Sequence, residues 1–296
     1  MIGVTNVDEQ VYLNGSFVPY EKALLPVEDR ATLFADGVYE VVRIYGGRPL
    51  AMKAHMERMA RSAREIRLPE VDFDELAHRG LELVERNGVG DGSLYIQVSR
   101  GVAPRNHLFP VGVAPTVFAT ARELARPAES LRQNGVACIT VPDIRWGRCD
   151  IKTVALLPNV LAKQEARDRG VYDAIFVRDG VVTEATSANV FAVVGGEVVT
   201  HPEGSQILPG ITRRLVAALA AEAGIPLAYR EIRAQELAAA AELFISGTTT
   251  EIMPVVEVDG RKVGTGKPGP ITRRLIEKYD ELVEKTRRGD PDVPLA

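Results

Sequence analysis

The 296-residue sequence contains few of the residue types that carry metal, redox or disulfide chemistry. Its two cysteines, Cys138 and Cys149, lack the spacing of a metal or redox motif, and such sparse cysteine is typical of a reducing compartment. The four histidines are scattered, and none pairs with another at metal-ligand spacing. We therefore expect no metal site and a cytoplasmic location.

The sequence also lacks a block of basic residues and a long apolar run. The net charge is 36 − 40 = −4, and basic clusters are pairs such as Arg213-Arg214, so we expect no nucleic-acid binding. No stretch approaches the roughly 20 apolar residues that a membrane span requires, so no membrane association is expected. Residues 1–8 have neither a basic start nor an apolar run, which predicts that they are not a signal peptide.

What the chain does contain is the ordinary composition of a globular protein, with 46% hydrophobic and 26% charged residues. Two-residue turn signals repeatedly separate strand-like segments, and each supplies the positive φ angles of a tight hairpin. These signals are Asn14-Gly15, Gly46-Gly47, Asp179-Gly180, Gly195-Gly196 and Asp259-Gly260. Antiparallel sheet is therefore expected in both halves of the chain.

Segments with helical periodicity or composition lie between these hairpins. Helices are predicted at 53–67, 73–87, 158–169, 211–223 and 270–287, and further strands at 93–99, 116–121, 136–144 and 243–246. This order indicates the α+β class rather than strict βαβ alternation. The polar, proline-containing segment 122–128 predicts a linker between a small N-terminal domain, 1–121, and a larger C-terminal domain, 129–296.

Lysine is scarce, with eight lysines against 28 arginines, and Lys152 has almost wholly apolar neighbours in the sequence. Burial disfavours the charged ammonium and makes the amine a nucleophile for an aldehyde. A lysine that snorkels from the edge of an apolar strand produces the same pattern. Glu184 ends a predicted strand, and a buried carboxylate there requires a partner such as a protonated pyridine nitrogen or an arginine.

Two segments have the composition of phosphate cradles. Residues 208–212 open a helix, where free backbone N–H groups and the helix dipole favour an anion. Residues 246–250 leave a strand and are rich in small hydroxyl residues that can donate to one phosphate. Ordinary capping and turn chemistry explains either segment alone. A third segment, the loop with Arg105 and His107, can bind a carboxylate or can simply be a solvated loop.

Taken in order, these residues resemble the class IV aminotransferases, the fold type IV pyridoxal-phosphate enzymes, from about Tyr12 to Tyr279. The segments that carry the resemblance are 34–42, 143–152, 160–166, 183–184 with 187–191, 210–213 and 248–252. The resemblance implies two α+β domains with antiparallel-rich sheets and pyridoxal 5'-phosphate in the cleft between them. The C-terminal domain would carry Lys152 as the Schiff-base lysine.

The resemblance also implies a role for each candidate residue. Lys152 would be the catalytic lysine that moves the Cα proton, and Glu184 would pair with the pyridine nitrogen. The expected cofactor contacts are Arg58, Glu184, Ser187, Leu208, Ile211, Thr212, Gly247 and Thr248. The expected substrate contacts are Tyr39, Val41, Arg105 and His107.

Within the family, the sequence most resembles the D-amino-acid transaminases. It has Tyr39 in Gly-Val-Tyr-Glu and an Arg-x-His at 105–107. It has Val154-Ala155-Leu156-Leu157 where branched-chain L-enzymes typically carry Gly-Gly-Asn-Tyr. The resemblance implies a homodimer in which Arg105 and His107 reach the neighbouring active site. Two local departures from the family pattern are present: Ala185–Ala188 replaces a more serine-rich stretch, which puts one cofactor hydrogen bond in doubt, and Gly247 stands where some D-type members have serine. Neither removes the core machinery.

The implied function is a ping-pong transaminase that exchanges an amino group between D-amino acids and 2-oxo acids. The expected substrates are D-alanine, D-glutamate, pyruvate and 2-oxoglutarate. Branched-chain L-aminotransferase, (R)-amine transaminase and aminodeoxychorismate lyase remain alternatives within the same fold. An alternative of a different class is a non-catalytic protein that binds a phosphorylated ligand.

Overall fold

The computed structural model describes residues 9–290, so the prediction about residues 1–8 lies outside the described residues. The described chain forms two compact units. The N-unit comprises residues 9–125, 151–155 and 285–290, and the C-unit comprises residues 126–150 and 156–284. Among residues 9–290, no helix is long and apolar enough to cross a membrane.

The N-unit is a six-stranded sheet with helices. Its strands are β1 (Gln10–Leu13), β2 (Ser16–Pro19), β3 (Gly37–Tyr45), β4 (Arg48–Pro49), β5 (Gly92–Ser99) and β6 (Thr116–Glu123). Its helices are α1 (Arg30–Phe34), α2 (Met52–Glu65) and α3 (Phe73–Arg86). The strand order is β2-β1-β6-β5-β3-β4, and every neighbouring pair is antiparallel.

Alternation along β3 determines which residues face the core of the N-unit. Val38, Val42 and Ile44 are fully buried and belong to one cluster with Met59 of α2 and Leu83 of α3. Because successive side chains of a strand point to opposite faces, the intervening residues of β3 face away from that cluster. Tyr39 and Val41 are half-buried there, so β3 separates the packed core from the face that carries the candidate substrate residues.

The C-unit is built around a ten-stranded sheet. Its strands are β7 (Val136–Pro142), β8 (Asp173–Arg178), β9 (Val181–Ala185), β10 (Asn189–Val194), β11 (Glu197–Thr200), β12 (Leu227–Tyr229), β13 (Ile232–Arg233), β14 (Glu242–Gly247), β15 (Glu251–Val258) and β16 (Arg261–Lys262). Its helices are α4 (Glu129–Asn134), α5 (Leu157–Asp168), α6 (Ile211–Glu222), α7 (Glu236–Ala239) and α8 (Pro270–Arg288), and the last turn of α8 is counted with the N-unit.

The sheet of the C-unit is mostly antiparallel. Its strand order is β12-β11-β10-β14-β15-β7-β8-β9-β13, with β16 on β15 and a further β9–β10 pairing. Parallel pairs occur at β7–β8, β7–β15 and β11–β12. The β9–β10 pairing joins Glu184 to Asn189 and thereby places two polar residues of the candidate site side by side.

The five predicted hairpins are confirmed. Each dipeptide forms the two-residue loop of an antiparallel pair, and both residues of each have positive φ. The five predicted helices are also present, with ends that differ by one or two residues. The α+β class is therefore confirmed. The short helices α1, α4 and α7 were not predicted, because one or two turns contain too few residues to show a periodicity.

The compact units differ from the predicted domains at one functionally important place. The boundary between residues 125 and 126 falls inside the predicted linker 122–128, although β6 extends into that segment. Residues 151–155, which were assigned to the C-terminal domain, belong instead to the N-unit. The reason is a strand-like pairing, in which Tyr39 N donates to Lys152 O at 3.1 Å and Val154 N donates to Gly37 O at 3.2 Å.

Candidate active site

Lys152 is fixed by the backbone at the start of β3. Residues 151–155 run beside β3, with an antiparallel bridge between Val38 and Thr153. Lys152 N donates to Ser62 Oγ of α2 at 3.2 Å, and the side chain is half-buried. The ammonium lies 4.3 Å from the ring centroid of Tyr39. The structure thus brings together the predicted catalytic lysine and one predicted substrate residue.

A buried ionic network lies on the opposite face of β3. Glu40 is 0% exposed and accepts from Arg58 Nε at 2.7 Å and from Arg58 Nη2 at 2.8 Å. His55 Nδ1 is 2.7 Å from Glu40 Oε2. His55, Arg58 and Ser62 share one face of α2, because positions i, i+3 and i+7 of a helix lie above one another. This network holds the predicted phosphate ligand, Arg58, in one orientation.

Charge and burial oppose each other in this network. Burial alone would raise the pKa of Glu40, but Arg58 and His55 together hold it well below its ordinary value. Burial lowers the pKa of His55, and Arg58 and Lys152 lower it further, which outweighs the opposite effect of Glu40. Glu40 is therefore a carboxylate and His55 is neutral at pH 7, so Arg58 is bound by one full negative charge.

In the C-unit, Glu184 is the penultimate residue of β9 and is buried among donors. Its carboxylate accepts from Arg145 Nη1, from Leu208 N at 3.0 Å and from Asn189 Nδ2 at 3.3 Å. Asn189 Nδ2 also donates to Leu208 O at 3.0 Å, which ties the segment before α6 to β10. Hydrogen bonds to the charged form stabilise a buried carboxylate. Glu184 is thus arranged to present a negative charge.

Arg145 and Asp143 extend this network behind Glu184. Arg145 contacts Asp143 through Nε at 2.9 Å and through Nη2 at 2.8 Å, and its guanidinium lies 4.5 Å from the ring centroid of Phe176. Burial alone would lower the pKa of Arg145, but Asp143 and Glu184 raise it. Burial alone would raise the pKa of Asp143, but Arg145 holds it below its ordinary value. The arginine therefore stays cationic and anchors Glu184.

The N-terminus of α6 has the form of an anion cradle. The helix begins at Ile211 after Gly210, and no side chain caps its first turn. Ile211 and Thr212 are buried. A Cβ on Gly210 would lie 2.0 Å from Asn189 Oδ1, so only glycine permits this approach. Uncapped N–H groups at a helix start favour a phosphate.

The turn after β14 is the second cradle. Gly247 and Thr248 are half-buried, and a Cβ on Gly247 would lie 2.9 Å from Ser187 O. Ser246 is 1% exposed, and its Oγ has no hydrogen-bond partner among the described residues. An unpartnered buried hydroxyl next to a close backbone approach is suited to a polar ligand. Ser187 lies exposed on the turn between β9 and β10.

The loop after β5 carries Arg105 and His107, both exposed. Neither is joined to Tyr39 by the contacts of the described residues. Both contact the aromatic ring of Phe34 at the end of α1. The ring centroids of His107 and Phe34 are 5.3 Å apart, and Arg105 Cζ lies 5.3 Å from the Phe34 centroid. The predicted carboxylate-binding residues of the N-unit therefore form two groups. Tyr39 lies beside Lys152, whereas Arg105 and His107 lie against Phe34 of α1.

Comparisons with known proteins identify the family of this chain. A profile described as amino-transferase class IV matches residues 37–258. The chain belongs to the class IV aminotransferases. A D-alanine aminotransferase of Staphylococcus haemolyticus is 42% identical over 277 residues, which cover 93% of this chain and 98% of that protein.

Two solved structures show the same fold. The branched-chain amino acid aminotransferase of Escherichia coli has a TM-score of 0.87 and 28% identity, covering 93% of this chain and 95% of that chain. The branched-chain aminotransferase of Thermoproteus uzoniensis with norvaline has a TM-score of 0.85 and 31% identity, covering 96% of each chain. The resemblance to fold type IV enzymes is thereby confirmed.

As a class IV aminotransferase, the chain is a pyridoxal-phosphate-dependent enzyme. The residues present fit that cofactor. Gly210 and Gly247 leave space that a Cβ would fill against Asn189 and Ser187. Helix α6 begins without a side-chain cap, and the buried Ser246 Oγ has no hydrogen-bond partner among the described residues. The donor set is suited to a phosphate, and Glu184 supplies an anion suited to a protonated ring nitrogen.

The residues of these networks that had no predicted role include Glu40, His55, Asp143, Arg145 and Asn189. All of these except His55 lie inside a segment that carries the family resemblance, and His55 has the i, i+3 spacing of one helix face with Arg58. Only the need of Glu184 for a partner pointed to an arginine, and nothing in the sequence indicated which of 28 it would be.

Proposed function

We propose that this class IV aminotransferase transfers the amino group of D-amino acids, among them D-alanine and D-glutamate, to 2-oxo acids such as pyruvate and 2-oxoglutarate. The observation that carries the proposal is 42% identity, over 93% of the chain, to an enzyme described as D-alanine aminotransferase. The departure from the branched-chain pattern at Val154–Leu157 supports it. Two half-reactions at one site predict ping-pong kinetics.

When bound, pyridoxal phosphate supplies an aldehyde for the amine and a ring that stabilises negative charge at Cα. Lys152 is the amine that would attach to it and then move the Cα proton. The ring of Tyr39 beside the ammonium limits where that amine can reach. Glu184, backed by Arg145, would hold the ring nitrogen protonated.

We propose that three parts of the chain bind the phosphate of the cofactor. Arg58 would supply charge, oriented by Glu40, while the starts of α6 and of the 247–248 turn would supply neutral donors. The proposed contacts in the C-unit are Ile211, Thr212, Gly247 and Thr248. Leu208 would pack beside the ring, and Ser187 would donate from the turn between β9 and β10.

The substrate α-carboxylate would be bound by Tyr39, Arg105 and His107, with Val41 lining the same face of β3. An arginine and a histidine donate to a carboxylate in preferred orientations, and this fixes the enantiomer that presents its Cα–H to Lys152. We further propose a homodimer in which Arg105 and His107 serve the neighbouring active site.

We also propose a cytoplasmic location, and the buried free cysteines Cys138 and Cys149 are consistent with it.

A branched-chain L-aminotransferase is the second candidate, since both solved structures described above are branched-chain enzymes. Fold similarity alone does not decide substrate. A stopped-flow half-reaction separates the candidates: holoenzyme is mixed with D-alanine, L-alanine or L-leucine while the absorbance of the bound cofactor is followed. We expect D-alanine alone to change the band. A change with L-leucine and none with D-alanine would reject the D-specific proposal.

A further inference from the structure

The aromatic ring of Phe34 is contacted by three cationic or aromatic side chains. The Arg30 guanidinium lies 4.7 Å from its centroid, and that of Arg105 lies 5.3 Å away. The His107 ring packs at 5.3 Å with an interplanar angle of 48°. Phe34 is half-buried, whereas Arg105 and His107 are exposed. One ring of α1 therefore serves as the surface on which both loop residues rest.

Arg30 fixes the backbone of the same loop. Its Nη1 donates to Asn106 O, between the two loop residues, at 2.6 Å. Its backbone N donates to Gly101 O at 3.0 Å, where the loop begins. Arg30 is 3% exposed, so its donors are directed into the protein rather than to water. Helix α1 thus holds the loop both at its base and at its tip.

Asp36 in turn holds Arg30. Its Oδ2 accepts from Arg30 Nε at 2.8 Å and from Arg100 Nε at 2.8 Å, and its Oδ1 accepts from Arg100 Nη2 at 2.9 Å. Burial alone would raise the pKa of Asp36, but the two arginines hold it below its ordinary value. Because Asp36 is hydrogen-bonded to both guanidinium groups, the side chain of Arg30 has little freedom to turn.

An exposed arginine on a loop loses side-chain entropy when it binds a carboxylate, and this loss weakens binding unless the side chain is already ordered. We propose that Phe34 and Arg30 are positioning residues that preorganise Arg105 and His107 for the substrate carboxylate. The inference rests on the proposed carboxylate-binding role of these two loop residues. It holds equally if the loop serves a neighbouring subunit, because the platform belongs to the subunit that supplies the loop.

The test is a double-mutant cycle on holoenzyme with D-alanine as amino donor. Phe34→Leu keeps the apolar volume and removes the aromatic face, and we expect KM to rise about fivefold while kcat changes less than about twofold. Phe34→Tyr keeps the ring and should restore the KM. Phe17→Leu is the matched control, since Arg86 lies 4.2 Å from the Phe17 centroid in the same unit, away from the loop. It should leave KM unchanged.

The cycle is completed by Arg105→Ala and the double variant. If Phe34 acts through the loop residues, adding Phe34→Leu to Arg105→Ala should raise KM by clearly less than about fivefold, because only His107 is then left for the ring of Phe34 to position. Backbone amides of 101–110 should also exchange faster with deuterium in Phe34→Leu, whatever the activity. Two outcomes would overturn the positioning role of Phe34 while leaving the carboxylate assignment in place. One is that the effects of the two changes on KM are additive, and the other is that KM is unchanged in Phe34→Leu but raised in Arg105→Ala. An unchanged KM in Arg105→Ala would overturn the carboxylate assignment itself and the platform with it.

Discussion

At the scale of single residues, the candidate site depends on side chains whose orientation is restricted by their neighbours. Lys152 lies against the ring of Tyr39, and Glu184 lies among three donors. Glu40 and His55 stabilise Arg58 from the core side of β3. Lys152, Glu184 and Arg58 thus each contact residues that restrict their orientation. Substitutions of the predicted residues and of their neighbours have distinct expected effects.

Replacement of Lys152 by alanine should abolish transamination, with a loss of several orders of magnitude in kcat, because no other amine takes its place. Lys152→Arg should fail as well, since a guanidinium stays protonated and cannot attack an aldehyde. Lys53→Ala is the control, because Lys53 is an exposed lysine of the same unit. The measurements are steady-state rates with D-alanine and pyruvate and the absorbance spectrum. Near-normal turnover in Lys152→Ala would remove the central assignment.

His55 should make stability depend on pH. Its pKa is lowered in the folded chain, so below its ordinary value near 6.5 the unfolded chain binds more protons and stability falls as pH falls. This contribution is present above pH 6.5 and decreases by at most about 1.4 kcal/mol per pH unit below it. His55→Asn lacks it, so the stability difference between wild type and variant should shrink from pH 7.5 to 5.5.

Chemical denaturation of both proteins at each pH measures that difference. His78→Asn is the matched control for replacing a histidine by asparagine, because His78 is exposed. A difference between wild type and His55→Asn that stays constant over this range would show that His55 is not held neutral by its surroundings.

At the scale of elements, the start of α6 is limited by the space that Asn189 occupies. Gly210 has φ −66° and ψ 136°, which alanine adopts without strain, so a substitution tests space alone. Asn189 Nδ2 binds both Glu184 and Leu208, and any shift of its side chain disturbs them. Helix α1 similarly restricts the loop with Arg105 and His107 through Arg30 and Phe34, although it is only five residues long.

Gly210→Ala would place a Cβ 2.0 Å from Asn189 Oδ1. We expect a loss of about 1–3 kcal/mol in the free energy of unfolding and a higher dissociation constant for pyridoxal phosphate. Gly204→Ala is matched to it, since nothing lies within 4 Å of a Cβ at Gly204. Thermal unfolding and cofactor titration of both variants provide the comparison. Equal behaviour of the two would mean that Asn189 moves away without consequence.

At the scale of the whole molecule, the predicted substrate residues of one chain lie in two separate groups. The contacts of Arg105 and His107 within one chain are with Phe34, whereas Tyr39 contacts Lys152. This arrangement agrees with the proposal that the loop serves a second subunit. A dimer with twofold symmetry would then contain two such shared sites.

Mixing two impaired variants tests that proposal, with the rate measured at a D-alanine concentration well below the KM of Arg105→Ala. A mixed dimer of Lys152→Ala and Arg105→Ala subunits has one site with an intact lysine and an intact neighbouring arginine. Random mixing should therefore restore about a quarter of the wild-type activity toward D-alanine, since half of the dimers are mixed and each has one working site. If Arg105 acts within its own chain, mixing restores nothing beyond the sum of the separate variants.

Short-range signals explain how much could be predicted from the sequence. Hairpin turns require particular dipeptides, and helices of three turns show their periodicity, so these elements were placed correctly. The family was recognised because several long segments match in order. Lys152, Glu184 and the two cradle segments could be proposed from the chemistry of their residue types alone, without coordinates. The roles given to them remain predictions.

Tertiary structure decided which residues support these candidates. Residues 151–155 join the N-unit because their backbone pairs with β3, more than 100 residues earlier in the chain. Glu40 meets Arg58, and Arg145 meets Glu184, through strand and helix packing that no local pattern encodes. The loop with Arg105 rests on Phe34 of a helix too short to predict. Contacts between distant segments depend on the summed packing of the fold, whereas turn and helix preferences depend on a few neighbouring residues.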